Sequence, residues 1–214
     1  MRYYISDNHF FHDGIILMDK RKFADAESMN EAMIESWNSR VHKNDEVVIL
    51  GDLSIGNAEQ TTEVVKRLKG KKYLIVGNHD RFAKDKHFDR SLFQFVGEYH
   101  EMNDNGRKVI LCHYPILCYN GQYRLDKEGN PKVYMLHGHI HNTQDVDILE
   151  QAKETARQTR RLTRGNHEPV SPPVNIINCF CVFSDYVPLT LDEWIVKEKN
   201  GELNHPREDW RGNE

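Results

Sequence analysis

The chain has 214 residues, a formal net charge of -4 with histidine counted as neutral, 12 histidines and four cysteines. This charge gives no general electrostatic reason for binding nucleic acid, and no run of about 20 apolar residues could cross a membrane. No CxxC pair of the kind that holds structural zinc is present, and the start lacks the apolar segment of a signal peptide, so we expect a cytoplasmic protein with reduced thiols.

The first 80 residues alternate predicted strands with predicted helices. A first strand is predicted at 3–6, and apolar runs that suit buried strands occur at 46–50 and 72–76. Ser28, with Glu31 three residues later, predicts a capping box at the start of a first helix. A second helix is predicted at 61–69.

The following part of the chain predicts a hairpin, two more strands and a closing helix. Asn105-Gly106 is a strong hairpin signal, and it separates strand-like runs at 99–102 and 108–112. The later strands and the closing helix are predicted at 133–136, 174–183 and 190–199.

We predict one domain over residues 1–200, followed by a polar C-terminal tail at 201–214. Within it, residues 145–164 predict a helix that is acidic at its start and basic at its end, as the helix dipole favours. With the loop after it, this helix forms a helical insert at about 145–173.

The insert carries four arginines at three- and four-residue spacing, which a continuous helix would place on one face. They are Arg157, Arg160, Arg161 and Arg164. One interpretation is a surface that contacts phosphates. The alternative is a solvated helix whose basic end is balanced by the acidic residues at its start.

Five short clusters of potential metal ligands each follow a strand-like run. They are Asp7-Asn8-His9, Gly51-Asp52, Gly77-Asn78-His79-Asp80, His113 and Gly138-His139-Ile140-His141. Because sites in α/β folds gather outside the carboxyl ends of strands, we expect these clusters to converge. The glycines before Asp52, Asn78 and His139 are expected to let the backbone turn sharply there. Turn chemistry alone hardly explains all five clusters, so they predict a metal site.

The mixture of carboxylate, imidazole and amide ligands suits Zn, Fe, Mn or similar ions. One ion takes about four to six ligands, so seven protein ligands with one shared carboxylate fit two ions better. Paired ions about 3.5–4 Å apart can clamp both oxygens of an in-line displacement at phosphorus. The pattern therefore predicts a two-metal phosphoesterase.

In their order, the clusters resemble the signature of the calcineurin-like metallophosphoesterase superfamily: D-x-H, GD, GNH[DE], H and GHxH, intact over residues 1–142. The D-x-H-F-x-H start at residues 7–12 and the C-H-Y-P turn at residues 112–115 are similar to those of small bacterial and phage phosphoesterases. The resemblance implies an α/β fold, a four-layer α/β/β/α sandwich of two mixed β-sheets.

The resemblance also implies a role for each matching residue. The first metal ion would be held by Asp7, His9, Asp52 and His141. The second would be held by Asp52, Asn78, His113 and His139, so that Asp52 bridges the two ions and takes part in catalysis. His79 would be the general acid that protonates the leaving oxygen after attack by a metal-bridging hydroxide, a task that suits the pKa of histidine.

Two further residues of these motifs are candidates for contact with the substrate. They are His12, which matches the D-x-H-F-x-H start, and Asp80, which follows His79. For Asp80 the alternatives are that it orients His79 or caps the next turn.

The expected cofactors are two divalent or trivalent ions per chain, among Mn, Fe, Zn and Ni, with Mn expected to support activity in vitro. The expected partner is a phosphate-ester substrate and not a membrane. One alternative is a nuclease with the same dinuclear site and the arginine face. Another is a non-catalytic metal-binding scaffold, which the intact ligand set and His79 disfavour. The sequence leaves open the substrate, including whether it is a monoester or a diester. It also leaves open the identity of the metal and the oligomeric state.

Overall fold

The computed structural model describes residues 1–162 and 168–203. In the first half, the strands are β1 (Arg2–Ile5), β2 (Glu46–Ile49), β3 (Lys71–Ile75) and β4 (Phe93–Gly97), and the helices are α1 (Asp13–Met18), α2 (Ala26–Arg40) and α3 (Ala58–Arg67). The second half holds β5 (Tyr99–Asp104), β6 (Arg107–Cys112), β7 (Val133–His137), α4 (Asp145–Gln158), β8 (Ile176–Asn178) and α5 (Leu191–Lys199). Short 3-10 helices lie at Arg81–Lys84, Arg90–Leu92 and Cys181–Ser184.

The strands form two four-stranded sheets. The first has the order β1-β2-β3-β4 and is parallel throughout. The second has the order β5-β6-β7-β8, in which β5 and β6 form the predicted antiparallel hairpin and β6, β7 and β8 are parallel. The predicted α/β fold with two sheets is confirmed. Only the second sheet is mixed, because crossovers that contain helices keep β1, β2 and β3 parallel.

Alternating side chains sort the apolar residues into layers. On the first sheet, Ile5 and Ile49 face α2 and α3, whereas Tyr4 and Val48 face the second sheet. Side chains of the second sheet alternate in the same way, and its outer face packs against α4. Helix α5 closes one side of the layer between the sheets, where Trp194 donates a hydrogen bond to the Tyr4 carbonyl (3.0 Å). The order of layers is helix, sheet, sheet, helix.

Helix α4 lies in the segment predicted as an insert and supplies the outer layer over the second sheet. Val146 and Leu149 are buried against this sheet. Lys153 is 1% exposed; its ammonium pairs with Glu150 and Glu198 (2.6 Å each). The segment is therefore part of the core packing.

The arginine face predicted for this helix does not form. The helix ends at Gln158, because Thr159 takes an extended backbone conformation. Arg161 lies beyond that end, in an antiparallel bridge with Val170, and its guanidinium donates to the Tyr123 hydroxyl (2.6 Å). Arg164 lies outside the described residues. The prediction of a continuous helix over 145–164 is therefore wrong. The early end of the helix also removes the arginine face, which was the feature that favoured a nuclease.

Several element boundaries also differ from those predicted. Helix α2 begins at Ala26 and not at Ser28, because Asp25 is the N-cap and its side chain accepts from the Ser28 amide (2.8 Å). The run 174–183 contains only the short strand β8 and then a 3-10 helix. Helix α1 and strand β4 were not predicted, since both are short and lack clear periodicity.

The described part of the predicted tail at 201–214 ends at residue 203. Leu203, in the predicted polar tail, is buried in the layer between the sheets. The rest of that tail, 204–214, lies outside the described part. Within the described part, no helix is both long and apolar enough to cross a membrane.

Candidate metal centre

The five predicted clusters converge at one end of the two sheets. Asp7, Asp52 and Asn78 follow the carboxyl ends of β1, β2 and β3, which are parallel neighbours in the first sheet. His113 and the cluster at 138–141 follow β6 and β7, which are parallel neighbours in the second sheet. Because parallel strands end at the same edge, both sheets direct their clusters to a common site.

The seven predicted metal ligands form two groups that share Asp52. The first ligand group consists of Asp7, His9, Asp52 and His141, and one ligand atom of each lies within 4.8 Å of all the others. The Nε2 atoms of His9 and His141 are 3.2 Å apart. The Nε2 of His141 also lies 3.5 Å from the Asp7 Oδ1. The group is almost completely buried.

The second ligand group consists of Asp52, Asn78, His113 and His139. Ligand atoms of Asp52, His113 and His139 also lie within 4.8 Å of one another. The Asn78 Oδ1 is 3.0 Å from both the His113 Nε2 and the His139 Nδ1. Asn78 and His139 are less buried than the first group, so the site opens on this side.

Three motif glycines make room for these ligands. A Cβ atom at Gly51 would lie 2.3 Å from the His113 Nδ1, and one at Gly77 would lie 2.3 Å from the Asp52 Oδ1. A Cβ atom at Gly138 would lie 2.4 Å from the Asp7 Oδ2. Of the three, only Gly51 has a positive φ (89°). The predicted sharp turn therefore applies to Gly51, whereas Gly77 and Gly138 are needed because the ligands pass so close to the backbone.

Five of the seven ligands have a left-handed backbone conformation. Their φ angles are 56° for Asp7, 55° for His9, 50° for Asp52, 73° for His139 and 46° for His141. Non-glycine residues adopt this region at a cost on the order of 1 kcal/mol each, and such strain concentrates at functional sites. The surrounding structure therefore holds the ligands in place against their local preferences.

In two of the four ligand histidines, a hydrogen bond to the remote ring nitrogen fixes which nitrogen faces the site. The Nδ1 of His113 lies 2.8 Å from the Leu50 carbonyl, to which it can donate, so its Nε2 faces Asp52 and Asn78. The Nδ1 of His141 lies 2.8 Å from the Asp19 carboxylate in the same way. Such partners orient metal-binding histidines.

Asp19 and Arg21 are residues of the site that the sequence reasoning missed. Arg21 is buried and pairs with the Asp19 Oδ2 (2.8 Å). It also donates to the carbonyls of Asp7 (2.9 Å) and Asn8 (2.7 Å), and so supports the turn that carries two ligands. No signal pointed to this pair, because a short charged segment between helices is typical of an exposed turn.

Replacing Asp19 by asparagine is expected to weaken metal binding about 10- to 100-fold, the usual effect of removing such an orienting carboxylate. An amide can still accept from His141, but it withdraws the negative charge from both His141 and Arg21. Metal affinity would be measured by competition with a chelating indicator. Asp13→Asn is the control, since Asp13 caps the neighbouring amide of Ala26 (2.8 Å) and does not contact the ligands. Equal affinities in the two variants would contradict the role of Asp19.

Nearby carboxylates raise the pKa of two histidines of the site. Burial lowers the pKa of His141, but Asp7 and Asp19 outweigh this effect and raise it to about 10. Burial also lowers the pKa of His113, but Asp52 and Asp7 outweigh this effect and raise the pKa to about 9. Protonated imidazoles thus partly neutralise the buried carboxylates in the absence of metal. Because a metal ion binds neutral imidazole, its binding displaces these protons.

His79 and His12 lie at the opening of the first ligand group. The ring centroid of His79 is 5.3 Å from that of His9 and 6.3 Å from that of His12. The His79 side chain belongs to neither ligand group, but its backbone amide donates to the Asp52 Oδ1 (2.8 Å). Both histidines line a cavity of about 390 Å³ together with five of the seven predicted ligands.

Asp80 does not face this cavity. Its carboxylate is buried and accepts from the amides of Gly77 (2.8 Å) and Ser54 (3.2 Å). Burial raises its pKa to about 7. The Asp80 side chain forms no cap hydrogen bond with the 3-10 helix that follows it, so it does not cap the next turn. Its two hydrogen bonds instead hold the loop of Asn78 and His79 in place. His137, which precedes the GHxH cluster, is buried outside both ligand groups.

Comparison with known families agrees with this geometry. Residues 3–182 match the family model described as the calcineurin-like phosphoesterase superfamily domain. The uncharacterized protein MJ1445 of Methanocaldococcus jannaschii is 36% identical over 141 residues, which cover 65% of this chain and 68% of that protein. The Gene 66 protein of Mycobacterium phage L5 is 29% identical over 164 residues, covering 65% of this chain and 77% of the phage protein.

A solved structure shares the fold. The crystal structure of AQ665 from Aquifex aeolicus, described as a protein of unknown function, aligns with a TM-score of 0.62. The alignment covers 92% of this chain and 98% of that one, at 22% sequence identity. At this identity the similarity concerns the fold alone.

Proposed function

The chain belongs to the calcineurin-like phosphoesterase superfamily, and from that membership we propose that it is a phosphoric ester hydrolase working with two metal ions. The observation that carries the proposal is the pair of ligand groups that share Asp52. Two groups of four ligands around one shared carboxylate suit a pair of ions better than a single ion. The site has no cysteine ligand, which argues against a structural zinc site.

In this proposal, each ligand group would hold one ion, and Asp52 is the residue that both groups would use. Carboxylate, imidazole and amide ligands suit Mn, Fe, Zn or Ni, and Mn²⁺ is the ion we would supply in vitro. When bound, such ions activate water as a nucleophile and neutralise charge on the phosphoryl group.

The chain's own residues then orient the substrate and move one proton. His79 lies at the opening of the site, where its imidazole can donate a proton to the leaving oxygen. Its backbone amide hydrogen bond ties the His79 backbone to Asp52, the residue that both ligand groups share. His12, on the same side of the cavity, is proposed to contact the leaving part of the substrate.

The proposal is tested by hydrolysis of bis-p-nitrophenyl phosphate beside p-nitrophenyl phosphate. The protein would be stripped of metal and assayed before and after loading with Mn²⁺. We expect turnover that requires the metal, and the ratio of the two rates separates diesterase from monoesterase activity. Absence of turnover on both substrates, with two ions bound per chain, would contradict the proposal.

A further inference from the structure

A second cavity opens beside the ligand groups and has no role in the proposed chemistry so far. Its volume is about 590 Å³, within the range of ligand-binding cavities. It shares Asn78 with the cavity that holds the metal ligands, and its walls include Val76, Arg81, Lys84, Glu98 and Tyr114. We refer to it as the Arg81 groove. A substrate phosphate near Asn78 therefore has open space on this side.

The Arg81 groove presents two cations that lack carboxylate partners. Arg81 and Lys84 are the first and last residues of a 3-10 helix, in which side chains three residues apart point the same way. Both are exposed, and within the described residues neither forms an ion pair. Glu98 also lines the groove but pairs with neither of them. Unpaired cations on one side of a groove attract an anionic group.

The segment that carries these cations is firmly anchored. Phe82 and Ala83, between the two cations, are buried in the core. The Arg90 guanidinium donates to the Ala83 carbonyl (2.7 Å), and Asp80 holds the start of the segment through its two backbone hydrogen bonds. The cations therefore extend from a fixed backbone, which lowers the entropic cost of binding a ligand.

Tyr114 lies at the junction of the two cavities. Its ring packs against the ring of His139, with centroids 4.6 Å apart, and 47% of the residue remains exposed. The exposed part of the ring lines the Arg81 groove. A substituent on a phosphate bound at the second ligand group would pass along this aromatic side chain.

The residues that line the groove do not include the proposed general acid. His79 and His12 line the cavity of the metal ligands, and neither lines the Arg81 groove. If His79 protonates the leaving oxygen, the leaving group lies near His79 and His12. The groove is then the place for the substituent that stays on phosphorus.

We propose that the Arg81 groove binds a second phosphate carried by the retained part of a phosphodiester substrate, as in a nucleotide with phosphates at both ends of its sugar. This inference rests on the proposed function, because it assumes that His79 marks the leaving-group side. Water supplies the new oxygen on phosphorus, the bond to the leaving oxygen breaks, and the product keeps both phosphates.

Two chromogenic diesters that differ by one phosphate test this inference. The first is thymidine 5′-(p-nitrophenyl phosphate), and the second carries an additional 3′-phosphate. We expect kcat/KM of the Mn²⁺-loaded protein to be about 10- to 100-fold higher for the second, the range for hydrogen bonds to charged groups. Arg81→Ala and Lys84→Ala should reduce this preference, and the double variant should abolish it. Both single variants should still bind Mn²⁺ as the unaltered protein does, since neither cation belongs to a ligand group.

Lys86→Ala is the matched control, because Lys86 is exposed in the same segment but does not line the groove. An equal kcat/KM for the two diesters, or a preference that survives the double variant, would overturn the inference while leaving the proposed function intact. Calorimetry provides a readout that is independent of turnover. Thymidine 3′,5′-bisphosphate should bind the Mn²⁺-loaded protein more tightly than thymidine 5′-phosphate, and only while Arg81 and Lys84 are present. Equal affinities for the two nucleotides would overturn the inference, whether or not any substrate is hydrolysed. Absence of hydrolysis, by contrast, would count against the proposed function.

Discussion

Replacing Asp52 by asparagine is expected to prevent both metal ions from binding with normal affinity and to abolish turnover. Asp52 is the one residue that belongs to both ligand groups. Its Oδ2 lies 3.4 Å from the His113 Nε2 and 3.7 Å from the His9 Nε2, so it faces ligands of both groups. No other side chain among the described residues occupies this position.

The expected loss of metal binding follows from the hydrogen bond at Oδ1, the second carboxylate oxygen of Asp52. The Asp52 Oδ1 accepts from the His79 amide (2.8 Å), so an asparagine would keep its carbonyl oxygen there. Its amide nitrogen, a donor that cannot bind a cation, would then replace the oxygen that faces both groups. The variant therefore loses a negative charge and also directs two hydrogens at the metal positions.

Metal content per chain would be measured by elemental analysis after dialysis, and turnover with bis-p-nitrophenyl phosphate. Asp85→Asn serves as the control, because Asp85 is an exposed aspartate outside the ligand groups. A thermal melt in the presence of chelator separates metal loss from misfolding, since both proteins should then unfold at similar temperatures. Two ions per chain in the Asp52 variant would refute its assignment as the bridging ligand.

The His79→Ala variant is expected to retain both metal ions and to lose about 10²- to 10⁴-fold in rate, the usual contribution of a positioned general acid. The side chain of His79 belongs to neither ligand group. Its link to Asp52 runs through the backbone amide, which alanine preserves. The substitution therefore removes the imidazole while leaving the orientation of Asp52 unchanged.

The identity of the leaving group separates an acid from a residue that only binds. With a poor alkoxide leaving group, the full loss should appear in kcat, whereas with p-nitrophenolate, which leaves without a proton, the loss should be much smaller. His12→Ala is the matched control, because His12 lines the same cavity with its ring 6.3 Å from that of His79. Its loss should fall mainly on KM and should not follow the pKa of the leaving group. A uniform loss across leaving groups in His79→Ala would exclude it as the acid.

Local patterns were sufficient for the parts of the fold that depend on short stretches of chain. The apolar runs before Asp7, Asp52 and Asn78 predicted β1, β2 and β3, because a strand buried on both faces needs a continuous apolar sequence. Asn105-Gly106 predicted the hairpin, since both residues adopt the positive φ that its turn requires. The patterns failed for strand β4, which is short. They also failed for the end of helix α4, because the local sequence predicts that the helix continues beyond Gln158.

The candidate site divides in the same way. The sequence by itself determined which potential ligands follow the strand ends and at which edge of the sheets they were expected. The family resemblance implied the roles of the seven predicted ligands and of His79. Only the tertiary structure decided that Asp19 orients His141, 122 residues away in sequence, and that Arg81 and Lys84 line a groove next to Asn78. The close approach of ligand side chains to Gly77 and Gly138 could also not be predicted from the sequence. Strand ends are local signals, whereas these features are distances between segments that meet only when the two sheets pack together.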